Sequence, residues 1–258
     1  MSLENKVVLV TGGAASIGRG IVNCFVREKA RVVIADRDEQ EGSRLAQALL
    51  GHGASCLYVP MDVAVESDAD RTVEEALKMW GAIDVLVNNV GTHFYKPIID
   101  VSVDEWDRFI ATDLRGHFLM SKKVLPHMMA RNQGSIVNIS SIHSVLSAAH
   151  FGAYAAAKGG IVAMTRSMAV EYAPFGIRVN AVLPGWTRNK GLDMEMAHLT
   201  DEEKEDRMGK MAVNIPLRRI ADPMEIGNSV VFLASDKASY ITGSALTVDG
   251  GLSSRVII

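Results

Sequence analysis

A tyrosine and a lysine four residues apart, Tyr154 and Lys158, give the strongest chemical signal in the sequence. Their segment has helical periodicity, and residues four apart share one face of an α-helix. A neighbouring ammonium group favours the phenolate form of a tyrosine, so the pair can act as a general acid and base. Ser141 directly follows a predicted strand, where its hydroxyl could orient the same substrate oxygen. The three residues therefore predict proton transfer to or from an alcohol or a ketone.

A glycine-rich turn, TGGAASIG at residues 11–18, follows the first predicted strand. Backbone N–H groups of such a turn can approach a pyrophosphate at the start of the next helix, although a tight structural turn would look the same. Asp36 ends the second predicted strand. A carboxylate there can bind both hydroxyls of an adenosine ribose and repels a 2′-phosphate, which favours NAD over NADP. Arg37 weakens that inference because it could pair with the phosphate, and helix N-capping is the alternative role of Asp36.

Seven short apolar runs alternate with longer segments of helical periodicity. The predicted strands are Lys6–Val10, Arg31–Ala35, Ser55–Pro60, Val85–Asn88, Ser135–Ser140, Arg178–Leu183 and Ala245–Val248. The predicted helices are Arg19–Lys29, Glu39–Leu50, Ala69–Trp80, Glu105–Met129, Ala155–Tyr172 and Pro223–Ala234. Continuous apolar strands are expected where helices cover both faces of a sheet. The pattern predicts an α/β fold: a doubly wound parallel sheet of about seven strands, Rossmann-like, in one domain spanning residues 1–258.

One segment, residues 188–214, interrupts this alternation. It is rich in methionine and charged residues and fits no strand, so we predict an inserted helical loop that carries substrate specificity. The rest of the composition is that of a globular protein, with 48% hydrophobic residues and a net charge of −3. No basic run indicates nucleic-acid binding, no apolar stretch is long enough to span a membrane, and the N-terminal residues lack a signal peptide. We therefore expect a cytoplasmic protein.

In their order and spacing, these motifs resemble the short-chain dehydrogenase/reductase family over essentially the whole chain. Further matching pieces are Asp62-Val63, the run Asn88-Asn89-Val90-Gly91, Pro184-Gly185 and the C-terminal stretch at 241–251. The resemblance implies NAD as the cofactor, with Tyr154 exchanging the proton, Ser141 binding the substrate oxygen and Lys158 binding the nicotinamide ribose. The residues it assigns to the cofactor are Gly12, Ser16, Ile17, Gly18, Asp36, Asp62, Val63, Asn89, Tyr154, Lys158, Pro184, Gly185 and Thr187.

Two departures from the family pattern affect the predicted site. Ser16 stands where the family usually has the middle glycine of the turn, so its backbone must still reach the turn geometry. Asp113 stands where the family usually has an asparagine that completes a proton relay through a water beside Lys158. A carboxylate accepts hydrogen bonds but donates none, and its charge opposes tyrosine ionisation. We hypothesise that Asp113 sustains the relay with a shifted pH optimum; a purely local structural role is the alternative.

Two histidines follow family motifs at the mouth of the predicted crevice, His93 after Gly91 and His143 after Ser141. Either could contact a polar substrate. Other candidates for the pocket wall are His150, Phe151, Trp186, Met194 and Met196. The two cysteines, Cys24 and Cys56, have no metal-ligand spacing, and no other cluster predicts a metal site.

The sequence thus predicts an NAD-dependent oxidoreductase of a small secondary alcohol or ketone, of the sugar, polyol, cyclic alcohol, hydroxyacid or steroid class. The alternatives are a 3-oxoacyl-thioester reductase using NADPH, and a catalytically silent NAD-binding protein. The acidic residues Asp201–Glu203 and Asp36 disfavour the first, and the intact Ser141, Tyr154 and Lys158 disfavour the second. Apolar surface segments and the family resemblance lead us to expect a homotetramer, with no nucleic-acid or membrane partner.

Overall fold

Seven parallel strands form one sheet in the computed structural model, which describes residues 3–255. Their order across the sheet is β3-β2-β1-β4-β5-β6-β7. The strands are β1 Val7–Thr11, β2 Arg31–Asp36, β3 Ser55–Pro60, β4 Val85–Asn88, β5 Gly134–Ile139, β6 Ile177–Pro184 and β7 Ala245–Val248. All seven predicted strands are confirmed, and the predicted doubly wound α/β fold is confirmed with them.

Nine α-helices connect and cover the strands of the described chain. They are α1 Ser16–Arg27, α2 Glu39–Gly51, α3 Glu66–Trp80, α4 Val103–Ile110, α5 Gly116–Ala130, α6 Gly152–Tyr172, α7 Lys190–Glu195, α8 Asp201–Ala212 and α9 Pro223–Ala234. None of these helices is long and apolar enough to cross a membrane. Helices α7 and α8 lie within residues 188–214, so the predicted helical character of this segment is confirmed.

The apolar residues of β1 explain why helices cover both faces of the sheet. The whole strand is buried, with Leu9 opposite Val33 of β2 on one side and Leu86 of β4 on the other. Alternate residues of the central strands point into two separate cores. One core includes Val8 and Phe25 with helices α1 and α9, and the second includes Leu9 with helices α3 and α5. Strand order reverses between β1 and β4, which opens a crevice at the carboxyl ends of these strands.

The predicted single helix Glu105–Met129 is wrong. The chain forms α4, then a π-helical turn at Ala111–Arg115, then α5. A π turn holds one residue more than an α turn, and such turns occur often at functional sites. Here the turn carries Asp113, whose side chain is fully buried. Helical periodicity could not reveal the turn, because all three pieces have helical backbone angles and no proline or glycine marks the junction within residues 111–115.

Candidate active site

A cavity of about 780 Å³ opens at the carboxyl ends of the central strands. It is lined by all of the residues predicted to bind cofactor or substrate: Gly12, Ser16, Ile17, Gly18, Asp36, Asp62, Val63, Asn89, His93, Ser141, His143, Tyr154, Lys158, Pro184, Gly185 and Thr187. Asp113 lies behind the cavity wall. Segments far apart in the sequence therefore meet in one crevice, as the motifs predicted, although their binding roles stay predictions.

The glycine-rich turn is packed so tightly that one of its residues must be glycine. A Cβ atom on Gly18 would lie 1.9 Å from the carbonyl oxygen of Gly12. The side chain of Asn89 holds the turn, since its Nδ2 donates to the carbonyls of Thr11 at 3.0 Å and Gly12 at 3.1 Å. The sequence did not predict this structural role of the Asn89 amide. The bare backbone at the start of α1 fits the pyrophosphate of a dinucleotide.

Ser16 takes the conformation that the missing glycine would have. Its φ is +51°, in the left-handed region that an L-residue enters at a cost. Its Oγ accepts a hydrogen bond from the backbone N–H of Lys190, 3.0 Å away at the start of α7. The serine is therefore tolerated in the turn, and its hydroxyl contacts the substrate loop.

Asp36 lies at the end of β2 and faces the crevice. One of its carboxylate oxygens accepts the N–H of Ala14 at 2.9 Å, and the other accepts the N–H of Asp38 at 3.0 Å. Each oxygen keeps a lone pair for a ligand hydroxyl. The N-cap of α2 is Asp38, whose side chain accepts from Glu41, so N-capping is not the role of Asp36. The carboxylate thus fixes the turn and remains available at the ribose position.

Ser141, Tyr154 and Lys158 line the same end of the crevice. The end of β5 is tied to α6, because the hydroxyl of Ser140 donates to the carbonyl of Lys158 at 2.8 Å. The ammonium nitrogen of Lys158 lies 5.6 Å from the ring centroid of Tyr154. Ser141 itself is buried, and its Oγ accepts the N–H of His143 at 3.2 Å. The three side chains therefore meet in one part of the crevice, as the sequence predicted.

Asp113 forms a buried ion pair with Lys158, with 3.4 Å between Oδ1 and Nζ. The side chains are 0% and 4% exposed, respectively. The carboxylate also accepts the backbone N–H of Thr92 at 2.9 Å and its hydroxyl at 2.7 Å. The sequence could not identify Thr92, which sits in a loop of irregular structure. Replacement of the usual asparagine by Asp113 therefore places a full negative charge directly against the lysine.

One turn after Asp113, His117 is buried behind the same lysine. Burial of the imidazole, followed by the charge of Lys158, lowers the pKa of His117 to about 3. The ring is therefore neutral throughout the range in which the protein would work. No sequence pattern distinguishes this histidine, because only the fold brings it beside Lys158.

The buried His117 should make the protein lose stability in acid. Its pKa is lower in the folded protein than the usual value of 6.5, so the unfolded chain binds the proton more readily. The contribution of His117 to the free energy of unfolding is complete above about pH 6.5. It declines as the pH falls towards 3, by up to about 1.4 kcal/mol per pH unit. Chemical denaturation of the wild type and of His117→Gln at pH 7, 6, 5 and 4 measures the free energy of unfolding at each pH. The variant should show the shallower decline.

An exposed histidine on the same helix, His127, provides the control for this prediction. The free energy of unfolding of His127→Gln should decline with falling pH as that of the wild type does. Equal slopes for His117→Gln and the wild type would contradict the assignment.

Aromatic rings form the wall beside Tyr154. The rings of His143 and Phe151 stack at 4.3 Å, and the rings of His93 and His143 lie 5.9 and 5.5 Å from that of Tyr154. Burial lowers the pKa of His143, so this ring favours its neutral form. The predicted wall residues Phe151 and Trp186 line the crevice. The other wall candidates are wrong, since the crevice lining does not include His150, Met194 or Met196.

The fold and this crevice define a Rossmann-like α/β oxidoreductase. A family model described as enoyl-(acyl carrier protein) reductase matches residues 12–253. "Oxidoreductase UcpA" of Escherichia coli strain K12 is 39% identical over 250 residues, which are 96% of this chain and 95% of the relative. "2-(S)-hydroxypropyl-CoM dehydrogenase 3" of Xanthobacter autotrophicus is 36% identical, over 97% of each chain. The crystal structure of levodione reductase superposes with a TM-score of 0.90 at 31% identity, covering 98% of this chain and 99% of that one.

The chain therefore belongs to the short-chain dehydrogenase/reductase family of oxidoreductases. Members of this family use a nicotinamide dinucleotide, either NAD or NADP. The glycine-rich turn and the crevice of this chain fit such a cofactor. Within the described chain, residues 3–255, no group of histidine, cysteine or carboxylate side chains is arranged to hold a metal ion.

Proposed function

We propose that this protein is an NAD-dependent dehydrogenase or reductase that interconverts an uncharged secondary alcohol and its ketone. The observation that carries the proposal is that Ser141, Tyr154 and Lys158 line the same crevice as Asp36 and the glycine-rich turn. When bound, the nicotinamide ring supplies or accepts the hydride. The residues of the chain bind the substrate, orient it and move the proton.

The proton transfer is assigned to the phenol oxygen of Tyr154. In the oxidative direction, the phenolate takes the proton of the substrate hydroxyl while Ser141 donates a hydrogen bond to the same oxygen. Lys158 favours the phenolate through its positive charge. In the reductive direction, the phenol returns the proton to the developing alkoxide, and the hydroxyl of Ser141 stabilises that charge.

Asp113 should shift the pH at which this step works. A lysine is a cation below about pH 10 even with no carboxylate nearby. The main effect of the carboxylate is therefore to reduce the positive potential that Lys158 produces at Tyr154. In Asp113→Asn, the amide can still accept from Thr92, but the negative charge is gone. The rising limb of the pH–rate profile for alcohol oxidation should therefore move to lower pH in this variant. Superimposable profiles would contradict a role for the charge.

Asp36 supports NAD over NADP, because its negative charge would lie against a 2′-phosphate. Removal of one charge at about 4 Å from a phosphate changes the interaction by roughly 1–4 kcal/mol, depending on the local dielectric. In Asp36→Asn, the ratio of the dissociation constants for NADPH and NADH should fall by about tenfold or more. Fluorescence titration of both cofactors measures the ratio, which is insensitive to a general loosening of the turn.

Arg37 provides the control for the cofactor prediction, since its exposed side chain lines the same end of the crevice. It is the cation available to a 2′-phosphate once Asp36 is neutral. The gain in NADPH binding should therefore shrink in the double variant Asp36→Asn/Arg37→Gln. An unchanged ratio in Asp36→Asn would contradict the preference for NAD.

The wall of the crevice supports an uncharged substrate. Among the described lining residues, the only lysine or arginine side chains are Arg37, at the Asp36 end, and Lys158, which is paired with Asp113. The rest of the lining includes aromatic and apolar side chains together with the acidic Glu195 and the polar Thr92 and Asn189; the aromatic and apolar ones are His93, His143, Phe151, Trp186, Leu192, Met211 and Ile220. A carboxylate, phosphate or sulfonate would lose its hydration there without gaining a counter-ion. We infer that cyclic or apolar alcohols and ketones are preferred over hydroxyacids.

The same wall disfavours the alternative of a 3-oxoacyl-thioester reductase. That activity would require NADPH and basic residues at the mouth to meet an acidic carrier protein. The exposed residues near the mouth include Tyr95, Ile98 and Val145, and the nearby helix α8 begins with three acidic residues. A silent NAD-binding protein is disfavoured by the intact catalytic residues.

A substrate panel tests the proposal. Reduction of NAD is followed with cyclohexanol, menthol, a steroid alcohol, sorbitol and lactate. Oxidation of NADH and of NADPH is followed with cyclohexanedione and acetoacetyl thioesters. We expect turnover with NAD on the uncharged cyclic compounds and little with lactate or the thioesters. Preference for lactate, or for a thioester with NADPH, would overturn the assignment. Binding of NADH without any turnover would favour the silent protein.

We also propose a homotetramer in the cytoplasm. Exposed apolar side chains on the helical surface support the assembly: Val103 of α4 is 75% exposed, Phe118 of α5 is 48% exposed and Val170 of α6 is 81% exposed. Burial of such residues between subunits is favourable. Sedimentation equilibrium of the wild type and of Val170→Lys tests this, since a charge in the interface should dissociate the assembly.

A further inference from the structure

Ser16 connects two parts of the crevice that are far apart in the sequence. Its Oγ accepts the backbone N–H of Lys190 at 3.0 Å, across 174 residues of sequence. Lys190 is the first residue of α7, and α7 lies within the predicted substrate loop. A glycine at position 16 would relieve the strain of the positive φ but could not make this bond. The serine therefore adds a contact that the usual glycine lacks.

Helix α7 depends on such contacts because it has only six residues. A helix this short is not stable by itself, and its first N–H groups need partners from outside the helix. The side chain of Asn189 accepts the N–H of Leu192 at 3.0 Å, and Ser16 accepts that of Lys190. Leu192 is buried and lines the crevice. The position of α7 thus determines part of the substrate wall.

The hydroxyl of Ser16 still has a proton to donate. The bond from Lys190 occupies a lone pair of Oγ, and a hydroxyl is both donor and acceptor. Ser16 lines the crevice between Ala15 and Ile17, where the glycine-rich turn fits a pyrophosphate. Donation to a phosphate oxygen gives a strong charge-assisted bond and makes Oγ a better acceptor for the second one. The two bonds of Ser16 therefore strengthen each other.

We propose that Ser16 is a positioning residue that couples binding of the cofactor's pyrophosphate to the seating of α7 against the crevice. The proposal rests on the proposed function, because it requires a dinucleotide in this crevice. It predicts that α7 is held more firmly against the crevice after the dinucleotide has bound. The ion pairs of the Lys190 side chain, at 3.4 Å to Asp38 and 3.7 Å to Glu41, are exposed and add little.

Hydrogen exchange of residues 189–195 provides a readout that does not depend on turnover. Amide exchange is measured in the wild type alone and with saturating NAD, ADP-ribose or adenosine. ADP-ribose carries the pyrophosphate without nicotinamide, and adenosine lacks the pyrophosphate. We expect NAD and ADP-ribose to slow exchange of this segment, by at most about fivefold because the bond from Lys190 already exists and is only strengthened, and adenosine to leave it unchanged. Equal protection by adenosine would overturn the proposal.

Three variants separate the hydroxyl from the backbone strain and from the lysine side chain. Ser16→Ala removes the hydroxyl and keeps the strain, whereas Ser16→Gly removes both and should raise the melting temperature. Lys190→Met removes the surface ion pairs and keeps the backbone N–H. The protection by ADP-ribose should be lost in both Ser16 variants and retained in Lys190→Met. Retained protection in Ser16→Ala would overturn the proposal, as would loss of protection in Lys190→Met.

Kinetics with the best alcohol of the panel add a second readout. At saturating NAD, the KM for the alcohol should rise about fivefold in both Ser16 variants, while kcat changes less. A fall in kcat with unchanged KM would contradict a positioning role. Failure of the proposed function and failure of the coupling give different results. If the wild type binds neither NADH nor ADP-ribose, the proposed function is contradicted. If it binds them but hydrogen exchange of residues 189–195 is not slowed, only the coupling is contradicted.

Discussion

Tyr154→Phe should lower kcat/KM by about 10²–10⁴-fold, because this substitution removes the oxygen to which we assign the proton transfer. The ring itself remains, so its contacts with His93, His143 and Phe109 should persist. Steady-state kinetics on the best substrate of the panel measure the loss. Cofactor binding, measured by NADH fluorescence, should change little, since Lys158 and the glycine-rich turn are untouched.

Tyr172→Phe is the matched control for this prediction. Tyr172 is the last residue of the same helix α6, and it packs against the sheet core away from the crevice. The control should retain activity within about twofold. Equal activity of Tyr154→Phe and Tyr172→Phe would show that another group moves the proton, and the assignment of the acid and base would then be wrong.

The ion pair between Asp113 and Lys158 should give the largest stability coupling of the ion pairs described here. Removing one partner of a buried pair leaves an uncompensated charge, which typically costs about 3–5 kcal/mol. We expect Asp113→Asn and Lys158→Met each to lower the free energy of unfolding by roughly 3 kcal/mol, at the low end because Thr92 still contacts position 113. The double variant is neutral at both positions. Its loss in the free energy of unfolding should be smaller than the sum of the two single losses by about 2 kcal/mol, which is the coupling energy.

Chemical denaturation of the four proteins measures this coupling in a double-mutant cycle. The exposed pair between Asp206 and Lys210, 2.6 Å apart on α8, provides the control cycle. Its coupling should not exceed about 0.5 kcal/mol, the usual value for solvent-exposed helix pairs. Additive losses at Asp113 and Lys158 would mean that the two charges do not stabilise each other in the folded protein.

The sequence predicted the sheet and the crevice because both depend on local patterns. Runs such as Val7–Thr11 are apolar enough to identify buried strands, and the ends of parallel strands must meet at one edge. Residues that follow those ends, such as Ser141, could therefore be placed in the crevice before the structure was known. The same argument placed Asp36 and the glycine-rich turn in that crevice.

The contacts that the sequence did not predict depend on tertiary packing. Thr92 becomes a neighbour of Asp113, and His117 a neighbour of Lys158, only through the π turn and the pairing of β4 with β5. The bond between Ser16 and Lys190 joins residues that no periodicity relates. Even where a departure from the family was visible, as at Asp113, its partners were not. A sequence motif indicates the type of residue at a position, whereas the fold determines what that residue contacts.

Because of the π turn at Ala111–Arg115, the side chains of α4 and those of α5 face different parts of the molecule. Before the turn, Phe109 of α4 faces the substrate wall, 6.4 Å from the ring of Tyr154. After it, Met120 and Val124 of α5 face the sheet core. Each residue of an α-helix advances by about 100°, so deletion of a single residue here would rotate one half of the segment against the other. The length of the segment therefore fixes the spacing between the substrate wall and the sheet, and a change of that length would disturb both.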